Sequence, residues 1–171
     1  VEAATQAELP ALDGVGEDRL NALIEQRLSG VPLAHLSGRQ HFMGLEMLAG
    51  KEALIPRAET ELLGGAALEL LRGLGEQGAQ PTVVVDVCTG SGNLALALAH
   101  FEPKARVFAA DLSADAVDLA RRNAVHLGLA ARVEIRVGDL LEPFDEPRFH
   151  AGVDLLVCNP PYISSQKVNA M

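Results

Sequence analysis

Asn159-Pro160-Pro161-Tyr162 follows directly on the apolar run Leu155 to Cys158. Two consecutive prolines cannot continue a strand, and they lock the backbone where it ends. The Asn159 side-chain amide and the Pro160 carbonyl then become fixed acceptors, with Tyr162 as an aromatic surface after them. Two fixed acceptors suit a planar –NH2 group, which has two N–H bonds to give. A simple Asn-Pro turn is the plainer alternative. A second chemical signal lies upstream, where Val83 to Asp86 runs into Cys88-Thr89-Gly90-Ser91-Gly92 and a helical pattern opens at once. Glycines at a strand-to-helix turn let a ligand approach the backbone, and the helix start offers free N–H groups.

Asp111 lies 21 residues after Gly90, at the end of the next apolar run. A carboxylate at that place can accept hydrogen bonds from both hydroxyls of a ribose. Asp139, in Gly138-Asp139-Leu140, is a second acidic point at the end of a third run. The loop alone leaves the ligand open. Gly90-Ser91-Gly92-Asn93-Leu94-Ala95 also fits the dinucleotide fingerprint, so an S-adenosylmethionine site and a nicotinamide site are both compatible with it. The Asn159 segment tips the balance, because hydride transfer to a nicotinamide has no need of two acceptors for an –NH2 group.

The elements that must hold these residues can be read from periodicity. Val83 to Val85, Arg106 to Ala110, Arg132 to Val137 and Val153 to Cys158 read as strands. Leu94 to Phe101 and Ala114 to Leu127 read as helices between them. This alternation predicts an α/β fold, a parallel sheet covered by helices with strands buried on both faces. Ligands of such sheets bind outside the carboxyl ends of the strands. Upstream, Leu20, Leu23, Ile24 and Leu28 predict an amphipathic helix over 18–28, stopped by Gly30 and Pro32. Gly38, Gly44 and Gly50 punctuate a connector or small hairpin. After Pro56 a longer helix is predicted, with Leu62, Leu63, Ala66, Ala67, Leu70, Leu71 and Leu74 as its apolar face and Glu59 and Glu61 near its start. The expected division is residues 1–30 as a partial helical region, 31–55 as a connector and 56–171 as the ligand-binding domain.

Composition narrows the classes. The 171 residues are 49% hydrophobic and 22% charged, the profile of a globular domain, which excludes disorder and collagen-like structure. No run of 18 apolar residues is present. The formal charge of −9 lowers the expectation of a nucleic-acid partner. Arg121-Arg122 is the one close basic pair of the ligand-binding part, and it falls on a helix where a solvated face is expected. Cys88 and Cys158 fit neither a zinc pattern nor a disulfide framework, no metal is expected, and a reducing cytoplasm is.

At this point the sequence resembles a known family. Asn159-Pro160-Pro161-Tyr162 matches the motif of class I S-adenosylmethionine-dependent amino-group methyltransferases. Ile55-Pro56-Arg57-Ala58-Glu59-Thr60-Glu61 resembles a characteristic segment of the release-factor glutamine methyltransferases, and Asp86 to Gly92 resembles their cofactor loop. Gly38, Phe42 and Gly44 resemble their connector. The resemblance runs over roughly 18–171 and departs at Cys88, where many relatives carry the first glycine of the loop, and at Ala58, where a second proline is usual.

The resemblance implies methyl transfer to the side-chain amide nitrogen (N5) of a glutamine in a peptide-chain release factor, with S-adenosylhomocysteine as product. Asn159, Pro160 and Tyr162 would act on the glutamine, together with Pro161. Asp86, Thr89, Gly90, Ser91, Gly92, Asp111, Asp139, Leu140 and Asn159 would hold the cofactor. Arg57 would contact the substrate or the cofactor carboxylate, or simply belong to a helix start. None of the five histidines is placed to act as a base. The order of strands in the family would bring Cys88 and Cys158 to neighbouring strand ends, within reach of a disulfide under strong oxidants. The chain starts at Val1 and stops nine residues after Tyr162, so further strands of the family's sheet are expected to be absent, leaving the last strand as an exposed edge open to self-association. The alternatives are a ribosomal-protein glutamine methyltransferase, a DNA or RNA amino-methyltransferase, a nicotinamide-dependent oxidoreductase, and a non-catalytic binding chain.

Overall fold

A computed structural model describes residues 13–77 and 81–161. Four parallel strands make its main sheet: β3 (Val83–Val87), β4 (Arg106–Asp111), β5 (Val133–Val137) and β6 (Leu155–Cys158). Their spatial order is β5-β4-β3-β6, so the chain starts in the middle, runs to one side, and crosses back to add β6 beside β3. That reversal opens a crevice at the carboxyl ends of β3 and β6, the usual ligand position in open α/β sheets. In register, Val87 faces Ala110 on β4 and Cys158 on β6, which brings the glycine loop, Asp111 and Asn159 to one edge.

Helices α3 (Ala58–Gln77), α4 (Asn93–Phe101) and α5 (Ala114–His126) accompany this sheet. The main core gathers Leu68, Leu71, Val84, Leu94, Leu98, Val107, Val117 and Val157. The opposite face is capped by a smaller cluster in which Phe144 and Phe149 meet Val85, Val87 and Phe108. Phe108 and Phe149 pack edge to face, centroids 4.8 Å apart, and Arg148 lies over the Phe149 ring at 4.7 Å.

Burial on both faces holds only for the central strands β3 and β4. The outer strands alternate: Glu134 on β5 and Leu156 and Cys158 on β6 are exposed. Among the described residues each outer strand has a neighbour on one side only, and its outward-turned side chains are left uncovered.

Upstream, α1 (Gly14–Leu28) begins earlier than the apolar spacing predicts, because Asp13 caps it by accepting the Gly16 N–H at 2.8 Å. None of its residues is buried, so the expected amphipathic stripe lies mostly on the surface. A short helix α2 (Leu33–Ser37) leads to an antiparallel hairpin of β1 (Arg39–Phe42) and β2 (Leu45–Leu48). Its two-residue turn has φ +50 at Met43 and +81 at Gly44, the double left-handed geometry that matches strand twist. Phe42 and Met47 bury themselves in the main core.

The apolar face of α3 is rotated from the expected one. Thr60, Gly64, Ala67, Leu68 and Leu71 face inward, whereas Leu62, Ala66, Leu70 and Leu74 are exposed. Gly64 fits this packing: a Cβ there would press on the Met43 side chain of the hairpin turn, while Ala67, Leu68 and Leu71 enter the main core.

Candidate functional site

Beyond the carboxyl ends of the strands lies a cavity of about 480 Å³, within the usual range of small-molecule sites. One wall is the glycine loop and the start of α4. Asp111, Leu112, Asp139 and Leu140 form the second, and Asn159, Pro160 and Pro161 the third. Residues 52–57, with Thr60, close it from above.

Asp86 is the most constrained group here. It is 1% exposed, and its Oδ2 accepts from Thr89 Oγ1 at 2.6 Å and from the Ala95 N–H at 3.1 Å. The carboxylate therefore caps α4, whose left-handed start at Gly92 carries no side-chain cap of its own. Asp86 Oδ1 is buried without a hydrogen-bond partner among the described residues. Burial pushes its pKa up to about 7 against the pull of these two hydrogen bonds, and the neighbouring Asp111 adds to the rise.

Asp111 ties the loop to β4. Its Oδ2 accepts the Gly90 N–H at 2.8 Å and its Oδ1 accepts the Ser113 N–H at 2.9 Å. Each oxygen keeps a lone pair for a ribose hydroxyl. Leu112 and Leu140 stand beside the two acids, 71% and 52% exposed, as apolar walls. Left-handed backbone is needed at Cys88, φ +59, and Leu140, φ +44, two non-glycine residues at the cavity edge. Such strain collects where a ligand must be approached closely.

Of the residues singled out in the sequence, Arg57, Asp86, Thr89, Gly90, Asp111, Asp139, Leu140, Asn159, Pro160 and Pro161 all line this cavity. Ser91 and Gly92 do not. Ser91 turns its hydroxyl toward Asn93 Oδ1 and Gln40 Nε2, into the hairpin interface. Tyr162 lies outside the described residues. No histidine lines the cavity. Arg121 and Arg122 are engaged on the surface, the first with Asp118 and the Ile135 carbonyl, the second with Glu52 at 2.7 Å. The cysteines sit side by side at the ends of β3 and β6, both as free thiols.

Three residues to which the sequence assigns no role hold the site together. Asn123, fully buried on α5, donates to the Leu48 and Ser91 carbonyls and accepts the Leu48 N–H at 2.6 Å. Gln40 donates from β1 to Asn93 Oδ1 at 3.0 Å. Thr60 accepts the Asn159 Nδ2 hydrogen at 2.9 Å. A polar residue on an otherwise apolar helix face was the available signal for Asn123.

Among the described residues the cavity offers two acids at strand ends, Asp111 and Asp139, and the unpartnered buried Oδ1 of Asp86. Among the described residues no group of three or more His, Cys, Asp or Glu could hold a metal ion. A family model described as the Methyltransferase small domain matches residues 61–171, which takes in this whole arrangement except the covering segment and hairpin. The chain belongs to that family. A methyltransferase family sets aside the oxidoreductase alternative left open by the glycine loop.

Curated relatives are named release factor glutamine methyltransferase. The one from Moorella thermoacetica is 44% identical over 140 residues, 82% of this chain and 46% of the relative. Those from Xylella fastidiosa (strain 9a5c) and Bacillus subtilis are 43% and 39% identical, covering 94% and 90% of the chain and 54% and 53% of the relatives. The chain thus spans about half the length of the curated relatives it matches. Among solved structures, human methyltransferase 10 domain containing protein aligns with a TM-score of 0.58 at 17% identity, over 94% of this chain and 68% of that one. The N-terminal domain of human METTL16 in complex with SAH aligns with 0.55 at 20% identity, over 71% and 48%. Both share the fold.

Proposed function

We propose that this chain carries the catalytic core of an S-adenosylmethionine-dependent methyltransferase that modifies the side-chain amide nitrogen of a glutamine in a peptide-chain release factor. The observation that carries the reading is Asn159-Pro160 lining the same cavity as Asp111 and the glycine loop, in a chain 38–44% identical to release factor glutamine methyltransferases. No helix among the described residues is long and apolar enough to cross a membrane, and a cytoplasmic site of action goes with the reading.

When bound, S-adenosylmethionine supplies a methyl group on a sulfonium, ready for attack by a nucleophile in line. The chain's task is to place that nucleophile. An amide nitrogen is weak because its lone pair is delocalised into the carbonyl, so positioning must do most of the catalysis. Asn159 Oδ1 and the Pro160 carbonyl accept the two glutamine N–H bonds and aim the nitrogen. Pro161 stiffens the turn, and Arg57 approaches from the covering segment. On the cofactor side Asp111 takes the ribose hydroxyls, Asp139 and Leu140 border the adenine, and Thr89 and Gly90 with Asp86 hold the amino-acid tail.

The test is acceptor choice. The protein is supplied with methyl-labelled S-adenosylmethionine and offered a release factor, the same factor with its glutamine changed to alanine, ribosomal protein and nucleic acid. Label on the intact release factor alone, lost in Asn159→Ala, is expected. Label on ribosomal protein or nucleic acid, or on no acceptor, overturns the reading.

A further inference from the structure

We propose that Thr60 is a positioning residue that holds the Asn159 amide in place, with Nδ2 turned to Thr60 and Oδ1 left to accept from a substrate –NH2 group. The inference rests on the function proposed above. An asparagine side chain presents a donor at one corner and an acceptor at the other, and a half-turn about its last bond exchanges them. Only the acceptor corner can receive an N–H from a substrate amide. With the donor corner forward, two N–H groups would face each other.

The structure ties down the donor corner. Asn159 Nδ2 donates to Thr60 Oγ1 at 2.9 Å across 99 residues of sequence, and Oδ1 takes no hydrogen bond from a described residue. Thr60 is 7% exposed and lines the same cavity as Asn159. It is itself held: its N–H donates to the Arg57 carbonyl at 3.0 Å, and the adjacent Glu61 accepts the Met43 N–H at 2.7 Å, anchoring this helix turn on the hairpin. A buried hydroxyl on a fixed helix turn meets an amide at a strand end, and the contact holds that side chain in place. Thr60 holds the Asn159 amide, and it acts on the reaction through Asn159.

The experiment compares Thr60→Val, which keeps the shape and removes the hydroxyl, with Thr60→Ser, which restores it. Thr60→Ala replaces the valine variant should that one fail to fold. Three readouts are taken on the protein. The Asn159 –NH2 resonances, assigned by their disappearance in Asn159→Asp, should exchange with water about tenfold faster in Thr60→Val, the equivalent of one modest hydrogen bond, and at the wild-type rate in Thr60→Ser. S-adenosylhomocysteine affinity should stay within about twofold throughout, since Thr60 serves the acceptor side. The kcat for methyl transfer should fall roughly 10- to 100-fold in Thr60→Val and recover in Thr60→Ser. Equal amide exchange in wild type and Thr60→Val overturns the proposal, as does a kcat loss that Ser fails to rescue or that follows lost cofactor affinity. If the wild type methylates no glutamine, the proposed function falls, and amide exchange still decides the role of Thr60.

Discussion

Asn123 Oδ1 accepts the Leu48 N–H at 2.6 Å while its Nδ2 donates to the Leu48 carbonyl, so one side chain pairs with a strand end as another strand would. The same Nδ2 also donates to the Ser91 carbonyl at 3.0 Å, inside the glycine loop. The hairpin, α5 and the loop thus share one buried amide. Asn123→Ala leaves Leu48 and Ser91 with unpaired polar groups in a water-poor interior. We predict a loss of about 2–4 kcal/mol, read as a melting temperature lower by roughly 5–15 °C. Thermal unfolding of the variant checks this, and a shift under 2 °C would show that water replaces the amide.

Gly90 and Gly92 are both left-handed, at φ +58 and +84, yet their substitution should separate stability from binding. A Cβ on Gly92 would stand 3.0 Å from Leu96 Cδ1 and 3.2 Å from the Ala120 Cβ, wedging α4 from α5. Gly92→Ala should cost about 2–3 kcal/mol of stability, from backbone strain and overpacking together. A Cβ on Gly90 meets no atom within 4 Å, and Gly90 lines the cavity. Gly90→Ala should therefore cost only about 1 kcal/mol in folding and weaken S-adenosylhomocysteine binding by roughly tenfold or more. Denaturation and calorimetric titration of the two variants read both quantities. Wild-type affinity in Gly90→Ala would show that the ligand does not approach this turn.

What could be read from the sequence followed from short-range rules. The four strands came from short segments of three to six residues with strand-like periodicity, and the site from residues standing where those segments end. Asp111 and Asn159 could be placed beside the glycine loop because parallel strands carry their carboxyl ends to one edge. The face of α3 could not, because its apolar residues surround most of the helix and its inward face is set by packing against the core and the hairpin. The link between Thr60 and Asn159, 99 residues apart, has no periodic signature at all. Ser91 illustrates the same limit: its place in the motif suggests a ligand, and its hydroxyl turns instead to Gln40 and Asn93. Long-range polar pairing is set by tertiary packing, which composition and spacing do not encode locally.

Cys88 and Cys158 are neighbours, and their environment makes them slow nucleophiles. Desolvation pushes the Cys88 thiol from 9.0 up to about 11, with the adjacent Cys158 and the acids Asp111 and Asp86 adding to the rise. Desolvation raises Cys158 as well, although its contact with Cys88 works in the opposite direction. At pH 8 the thiolate fraction of Cys88 should be about 100-fold below that of an unperturbed thiol, and alkylation by iodoacetamide slower by a similar factor. Cys158, the more exposed of the two, should be modified first. Mass spectrometry of timed samples gives both rates. Rapid labelling of Cys88 near neutral pH would mean that the cavity is wetter than its burial implies.

Asp86 should make both stability and cofactor binding depend on pH, in opposite senses. Its folded-state pKa is raised from 3.8 to about 7, chiefly by desolvation. The folded state therefore holds a proton that the unfolded chain releases near pH 4, and the stability this proton provides is lost as pH rises from about 4 to 7. Asp86→Asn removes that dependence, so its stability relative to wild type should improve steadily over this window and level off above it. Binding runs the other way. A cationic tail placed against the orphaned Oδ1 favours the ionised carboxylate. S-adenosylhomocysteine affinity should then climb with pH by up to about tenfold per unit below 7 and flatten above it. In Asp86→Asn the profile should be flat and the affinity near neutral pH lower than wild type. Titration calorimetry from pH 5 to 8 on both proteins tests the two slopes together, and a wild-type affinity that does not change across this range would remove Asp86 from the cofactor site.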